Sequence, residues 1–150
     1  MNAVRPSITS NLLVAIAAIA NLAIFVGDAK AGWEWQGSID SLITAVILQA
    51  EKTMGKVAGT PKITFGWCKG RTAYLIQNKH ICFDPIFIKA ASRIGDAAVA
   101  YVAAHEYAHH IQHSSRIYNF KAQRFDTLQL ELQADCFAGV ILGTIPDVYF

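Results

Sequence analysis

The chain has 150 residues and a formal net charge of +2, with no dense Lys/Arg cluster. That length fits one domain, and that balance gives no electrostatic footprint for a nucleic-acid partner. No internal repeat or low-complexity tract subdivides it.

Residues 1–31 read as an export signal. Arg5 precedes an uncharged, mostly apolar run from Leu12 to Val26, and Ala29-Lys30-Ala31 supplies the small residues that signal peptidase reads. Cleavage there leaves residues 32–150 as the mature domain, expected to be periplasmic or secreted. The alternative is an uncleaved membrane anchor carrying an extracytoplasmic domain. The run is short for that, since a span takes about 20 residues. Cys68 and Cys82 fall in the strand-rich region, so the choice is a disulfide or two reduced, buried thiols. A bridge would close a loop of about 15 residues, for which the entropy model gives about 3 kcal/mol. Cys136, in a helical run, reads as a small buried hydrophobe.

Trp33 and Trp35 are expected to pack on the domain. Ser38 or Asp40 can cap a helix from Ile39 to Gly55, whose stripe of Leu42, Ile43, Val46, Ile47, Ala50 and Met54 faces a core. A loop to Pro61 follows. Then come three β-rich runs: Lys62 to Trp67, Thr72 to Gln77, and His80 to Phe83. Lys69-Gly70 and Asn78-Lys79 supply turns. They predict a small, mostly antiparallel sheet. The edge strand of such a sheet can pair with an extended chain by strand addition, although the sequence does not say which strand is the edge. Asp84 and Pro85 fit the N-cap and N1 positions of a short helix to Ser92.

Asp96 is the expected N-cap of the next helix, Ala97 to His113. Its first turns, Ala97 to Ala104, are apolar all round, which predicts a buried helix. It carries His105-Glu106-Tyr107-Ala108-His109, an HExxH motif. Histidines four apart lie about 40° apart around the helix and about 6 Å apart along it, so both can reach one small cation. Zn²⁺ suits two imidazole nitrogens. Glu106, one residue after the first ligand, can take a proton from the metal-bound water. Unpaired polar groups in a buried helix are costly, and a metal supplies their partner.

Catalytic zinc usually takes three protein ligands and a water. A last helix, Ala122 to Gly143, can fold back antiparallel, and its Glu131 is the expected third ligand. Asp135, one turn further on the same face, could accept the second ring N–H of His105 and fix its tautomer. Alone, these residues would be solvated helix charges, but the apolar flanks Leu128, Leu130, Leu132 and Ala134 argue against that. His110, about 140° round from His105, points elsewhere. His113 is about 12 Å along the axis, too far to share the ion. Cys136 is about 140° from Glu131 and also faces away. His80, beside a turn, reads as solvated.

The runs Ala100 to Gln112 and Leu130 to Val140 resemble the bacterial predicted neutral zinc metallopeptidases, which belong among the gluzincin-type proteases. The resemblance covers about the C-terminal third of the chain. It implies that His105, His109 and Glu131 bind zinc and that Glu106 is catalytic. Cys82-Phe83-Asp84-Pro85-Ile86-Phe87 suggests the strand that precedes the family's motif, and longer relatives continue beyond the Glu131 helix.

The expected architecture is therefore α+β and minimal zincin-like. A small antiparallel-rich sheet packs on helices, with the motif on one helix and the third ligand on a second. The expected activity is zinc-dependent hydrolysis of peptide bonds in a peptide or protein substrate. Arg116, Tyr118, Arg124 and His80 are the oxyanion-donor candidates, none favoured over another. Two other readings compete. One is a zinc-binding accessory protein of the same fold with little proteolytic activity. The other is a structural helix pair with a chance HExxH, which the Asp135 spacing disfavours.

Overall fold

A computed structural model describes residues 35–75, 79–115 and 127–145. The export segment, its cleavage point, Trp33, the Asn78 turn and the donor candidates Arg116, Tyr118 and Arg124 lie outside the described residues. Among those described, no helix is long and apolar enough to cross a membrane.

The first helix, α1 (Ile39–Ala50), is capped by Ser38, whose side chain accepts the Ser41 N–H at 3.2 Å. Leu42, Ile43, Val46, Ile47 and Ala50 recur at helical spacing and are all buried. The helix then widens into a π-turn, Glu51–Gly55, and closes through Lys56–Ala58 with Gly59 in the left-handed conformation. Trp35 packs on the core, as the sequence predicts.

Three short strands follow: β1 (Thr64–Trp67), β2 (Ala73–Leu75) and β3 (His80–Phe83). Their order is β1-β3-β2. The antiparallel expectation holds for β2 and β3, with Tyr74 opposite Ile81. It fails for β1, which pairs parallel to β3 with Phe65 opposite Ile81. The physical reason is that β3 inserts between the two strands that precede it. A strand between two antiparallel runs must be parallel to one of them. A disulfide joins Cys68, just past β1, to Cys82 in β3, with Cα atoms 5.4 Å apart.

Helix α2 (Pro85–Ser92) starts as predicted, with the Asp84 carboxylate accepting the N–H groups of Ile86 at 2.7 Å and Phe87 at 3.4 Å. It leads through Gly95, at φ 148°, into α3 (Asp96–Ser114). That backbone angle is one that favours glycine. Asp96 does not cap α3. Its carboxylate accepts the Trp35 N–H instead, at 2.7 Å, tying the start of the described chain to this helix. Ala98 to Ala100 and Val102 to Ala104 are buried, so α3 is the central helix; Ala97 alone of the apolar start is exposed.

Helix α4 (Thr127–Leu142) runs antiparallel to α3: Tyr101 meets Asp135, while Gln112, near the other end, meets Leu130. Its buried face is Ala134, Ala138, Ile141 and Leu142. Cys136, expected to be buried, is exposed. Two residues on from Ala134 is about 200° round the helix, which turns the thiol away from α3. Leu128 and Leu132 are exposed too, so only one side of α4 is sheltered. The described residues are α+β, with a small mixed sheet and four main helices, consistent with a small zincin-like fold.

Candidate metal centre

The antiparallel pairing of α3 and α4 decides what faces what. His105 and His109 share one face of α3, one turn apart, and Glu131 arrives opposite them from α4. Glu131 Oε2 lies 3.1 Å from His105 Nε2 and 3.5 Å from His109 Nε2, and the two imidazole nitrogens are 3.1 Å apart. Among the described residues this trio is the group of His, Cys and acidic side chains able to hold a metal ion. A tetrahedral zinc site with bonds of about 2.0–2.2 Å has ligand–ligand edges of about 3.3 Å. The trio therefore forms one face of such a tetrahedron and leaves the fourth corner for water. Two neutral imidazoles and a carboxylate are also a donor set that suits zinc.

The charges are arranged accordingly. Burial works against the imidazolium of His105, but its bonds to Asp135 and Glu131 outweigh this and hold it up at about 10. His109 is likewise raised against the pull of burial, chiefly by Glu131. The same two contacts hold the Glu131 carboxyl far below the usual range. Asp135 Oδ1 accepts His105 Nδ1–H at 2.8 Å, the role its spacing predicted. A carboxylate oxygen only accepts, so Nδ1 keeps its proton and Nε2 is the nitrogen that can give up its own to a cation. Burial opposes ionisation of Asp135, yet the bonds from His105 and Tyr101 keep its pKa below the ordinary value.

Glu106 is buried on the same helix, between the two histidines in sequence. Burial raises its pKa, partly offset by His105, His109 and a hydrogen bond from the Tyr74 backbone. Tyr74 is in β2, so this strand borders the site.

Residues 74–145 match the model of the family described as Putative neutral zinc metallopeptidase. The match supports the resemblance carried by Ala100 to Gln112 and Leu130 to Val140. It spans β2 through α4 and so takes in every residue of the site. The family implies Zn²⁺ as the cation, and the triangle of donors fits it. No curated protein and no solved structure matches the chain.

In this segment two supporting residues escaped the sequence. The Tyr101 hydroxyl donates to the oxygen of Asp135 that also receives His105. In sequence it sits within an apolar run and reads as core. Gln112 reads as a surface polar residue near a helix end. It is instead buried, with Oε1 2.8 Å from His109 Nδ1 and Nε2 reaching Leu130 O at 2.8 Å and Gln133 Oε1 at 3.1 Å. The i+3 spacing from His109 was the signal that could have found it.

The remaining histidines are placed elsewhere. His110 is fully buried on another face, where Nε2–H donates to Pro61 O at 2.8 Å. Its Nδ1 is then the acceptor for Tyr74 Oη at 3.1 Å and Ser114 Oγ at 3.0 Å. It bolts α3 to the loop before β1 and to β2. His113 stacks on the Tyr74 ring, with centroids 5.6 Å apart. With Pro61, Tyr74, Lys79 and Ser114 it lines a cleft of about 210 Å³. His80 pairs with Thr64 Oγ1 across the strands at 2.9 Å.

Proposed function

We propose that the protein is a zinc-dependent metallopeptidase hydrolysing peptide bonds, with His105, His109 and Glu131 as the zinc ligands and Glu106 as the general base. The observation that carries this is the tetrahedral-face triangle of three donor atoms with a buried carboxylate one residue from the first donor. Zinc held there would supply a Lewis acid able to make a water nucleophilic near neutral pH and to polarise a carbonyl. Glu106 would serve as the proton acceptor for the attacking water and the donor to the leaving amine. Its raised pKa suits both halves of that task. Asp135 and Tyr101 hold His105 in the required tautomer and orientation.

The peptide would lie along β2. This strand is one edge of the described sheet, and its Tyr74 N–H reaches Glu106. A substrate paired there by backbone hydrogen bonds would pass the base with little regard to its side chains. The reading extends to location: the protein acts outside the cytoplasm, supported by the Cys68–Cys82 disulfide and the export-type N-terminal sequence.

Glu106→Gln tests the role of the base. Zinc should remain bound in stoichiometric amount while hydrolysis of denatured casein falls at least about a hundredfold, within the range for loss of general-base catalysis. Undiminished hydrolysis by the variant would remove Glu106 from the chemistry. Wild-type protein that holds zinc but cleaves nothing would favour the accessory-protein reading.

A further inference from the structure

From its hydrogen bonds we infer that Gln112 is a positioning residue that fixes the tautomer of His109 and ties that ligand to the helix carrying Glu131. The inference rests on the zinc site proposed above. Leu130 O is a main-chain carbonyl and can only accept, so the Gln112 atom 2.8 Å from it is the amide nitrogen. That assignment leaves Oε1 facing His109 Nδ1 at 2.8 Å, and an amide oxygen also only accepts. The ring proton of neutral His109 is therefore on Nδ1. Its Nε2 is left with a lone pair directed at His105 Nε2 and Glu131 Oε2.

The second amide proton is used by Gln133 Oε1 at 3.1 Å. Gln112 is thus a buried residue with its oxygen and both its protons engaged. Its nitrogen grips α4 at Leu130, the residue before Glu131, while its oxygen grips the second histidine. His105 has a carboxylate as its outer partner; His109 has this neutral amide. The two ligands are held from opposite ends of the same helix pair, and a shift of α4 along α3 would disturb both.

Two variants separate orientation of the ligand from general support of the fold. Gln112→Met has similar length but loses acceptor and donors. Gln112→Glu keeps an acceptor for Nδ1–H and loses the donors to Leu130 and Gln133. Zinc affinity is measured by competition with a chromophoric chelator on the full chain, and stability by thermal unfolding. Both variants should unfold at lower temperature than wild type. Zinc affinity should fall about 10–100-fold in Gln112→Met, as for loss of an outer partner of a ligating histidine, and change little in Gln112→Glu. In the zinc-loaded wild type, imidazole ¹⁵N shifts should put the proton of His109 on Nδ1.

Equal loss of affinity in both variants, or no loss in either, overturns the role of Gln112 and leaves the metal site standing. So does a proton found on His109 Nε2, a result that needs no variant to fold. Wild-type protein that binds no zinc would overturn the metal site itself, and this inference with it.

Discussion

His105 retains its proton more tightly than a free imidazole because two carboxylates outweigh the effect of burial, and this links stability to pH once metal is stripped away. Its folded-state pKa, about 10, lies above the ordinary 6.5. The stabilisation is therefore complete below about pH 6.5 and is lost as pH rises towards 10. Glu131 and Asp135 act in the opposite sense. Their pKa values are held below the ordinary 4.5 and 3.8, so their contribution is present above those values and lost on acidification. Chelator-treated protein should thus melt at the highest temperature between about pH 5 and 6.5, and progressively lower towards pH 10. Equal melting temperatures at pH 6 and pH 9.5 would contradict the pairing. The sequence revealed these residues because the proposed ligands and their carboxylate partner recur at fixed helical intervals, His105 to His109 and Glu131 to Asp135. It concealed Tyr101 and Gln112 because an aromatic in an apolar run looks like packing and an amide near a helix end looks solvated. Only the antiparallel partner helix gives each hydroxyl or amide its acceptor.

At the level of elements, the glycine that ends the π-turn after α1 has a steric reason that can be tested. A Cβ at Gly55 would lie 2.7 Å from Tyr107 Oη and 3.2 Å from Thr60 Oγ1, and Tyr107 is fully buried. Alanine is ordinarily the better helix former by about 1 kcal/mol. Here overpacking, typically about 1–3 kcal/mol, should win. Gly55→Ala is expected to destabilise the protein in urea unfolding, and to do so less in a Tyr107→Phe background, where the opposing hydroxyl is gone. The same penalty in both backgrounds would assign the cost elsewhere. Helix starts at Ser38 and Asp84 were legible because a capping side chain acts on its own next turn. Asp96 was misread because its carboxylate is claimed by Trp35, 61 residues away in sequence. The direction of β1 was misread for a related reason: alternation and turns specify a strand but not the distant neighbour it pairs with.

Considered whole, the domain draws α3 and α4 together around a cluster of ionisable groups, with α4 sheltered on one face only. A cation held by His105, His109 and Glu131 would act as a cross-link between the helices. A ligand that binds only the folded state stabilises it by about 4 kcal/mol at a thousandfold excess over its dissociation constant. Chelation should therefore lower the melting temperature and stoichiometric Zn²⁺ should restore it, whereas Mg²⁺, which prefers octahedral oxygen, should not. A melting temperature indifferent to chelator would deny the cation any structural role. The sheet carries a different consequence. Its middle strand, β3, is the last of the three to be synthesised, and the two strands made before it pair with it and not with each other. As the polypeptide emerges, β1 and β2 wait without their ladder partner until His80–Phe83 arrives. β2 can then close on it locally, while β1 must be captured across the intervening residues, the slower, long-range step. Cys82 travels on that late strand, so oxidation with Cys68 locks an arrangement that nascent chain cannot adopt earlier.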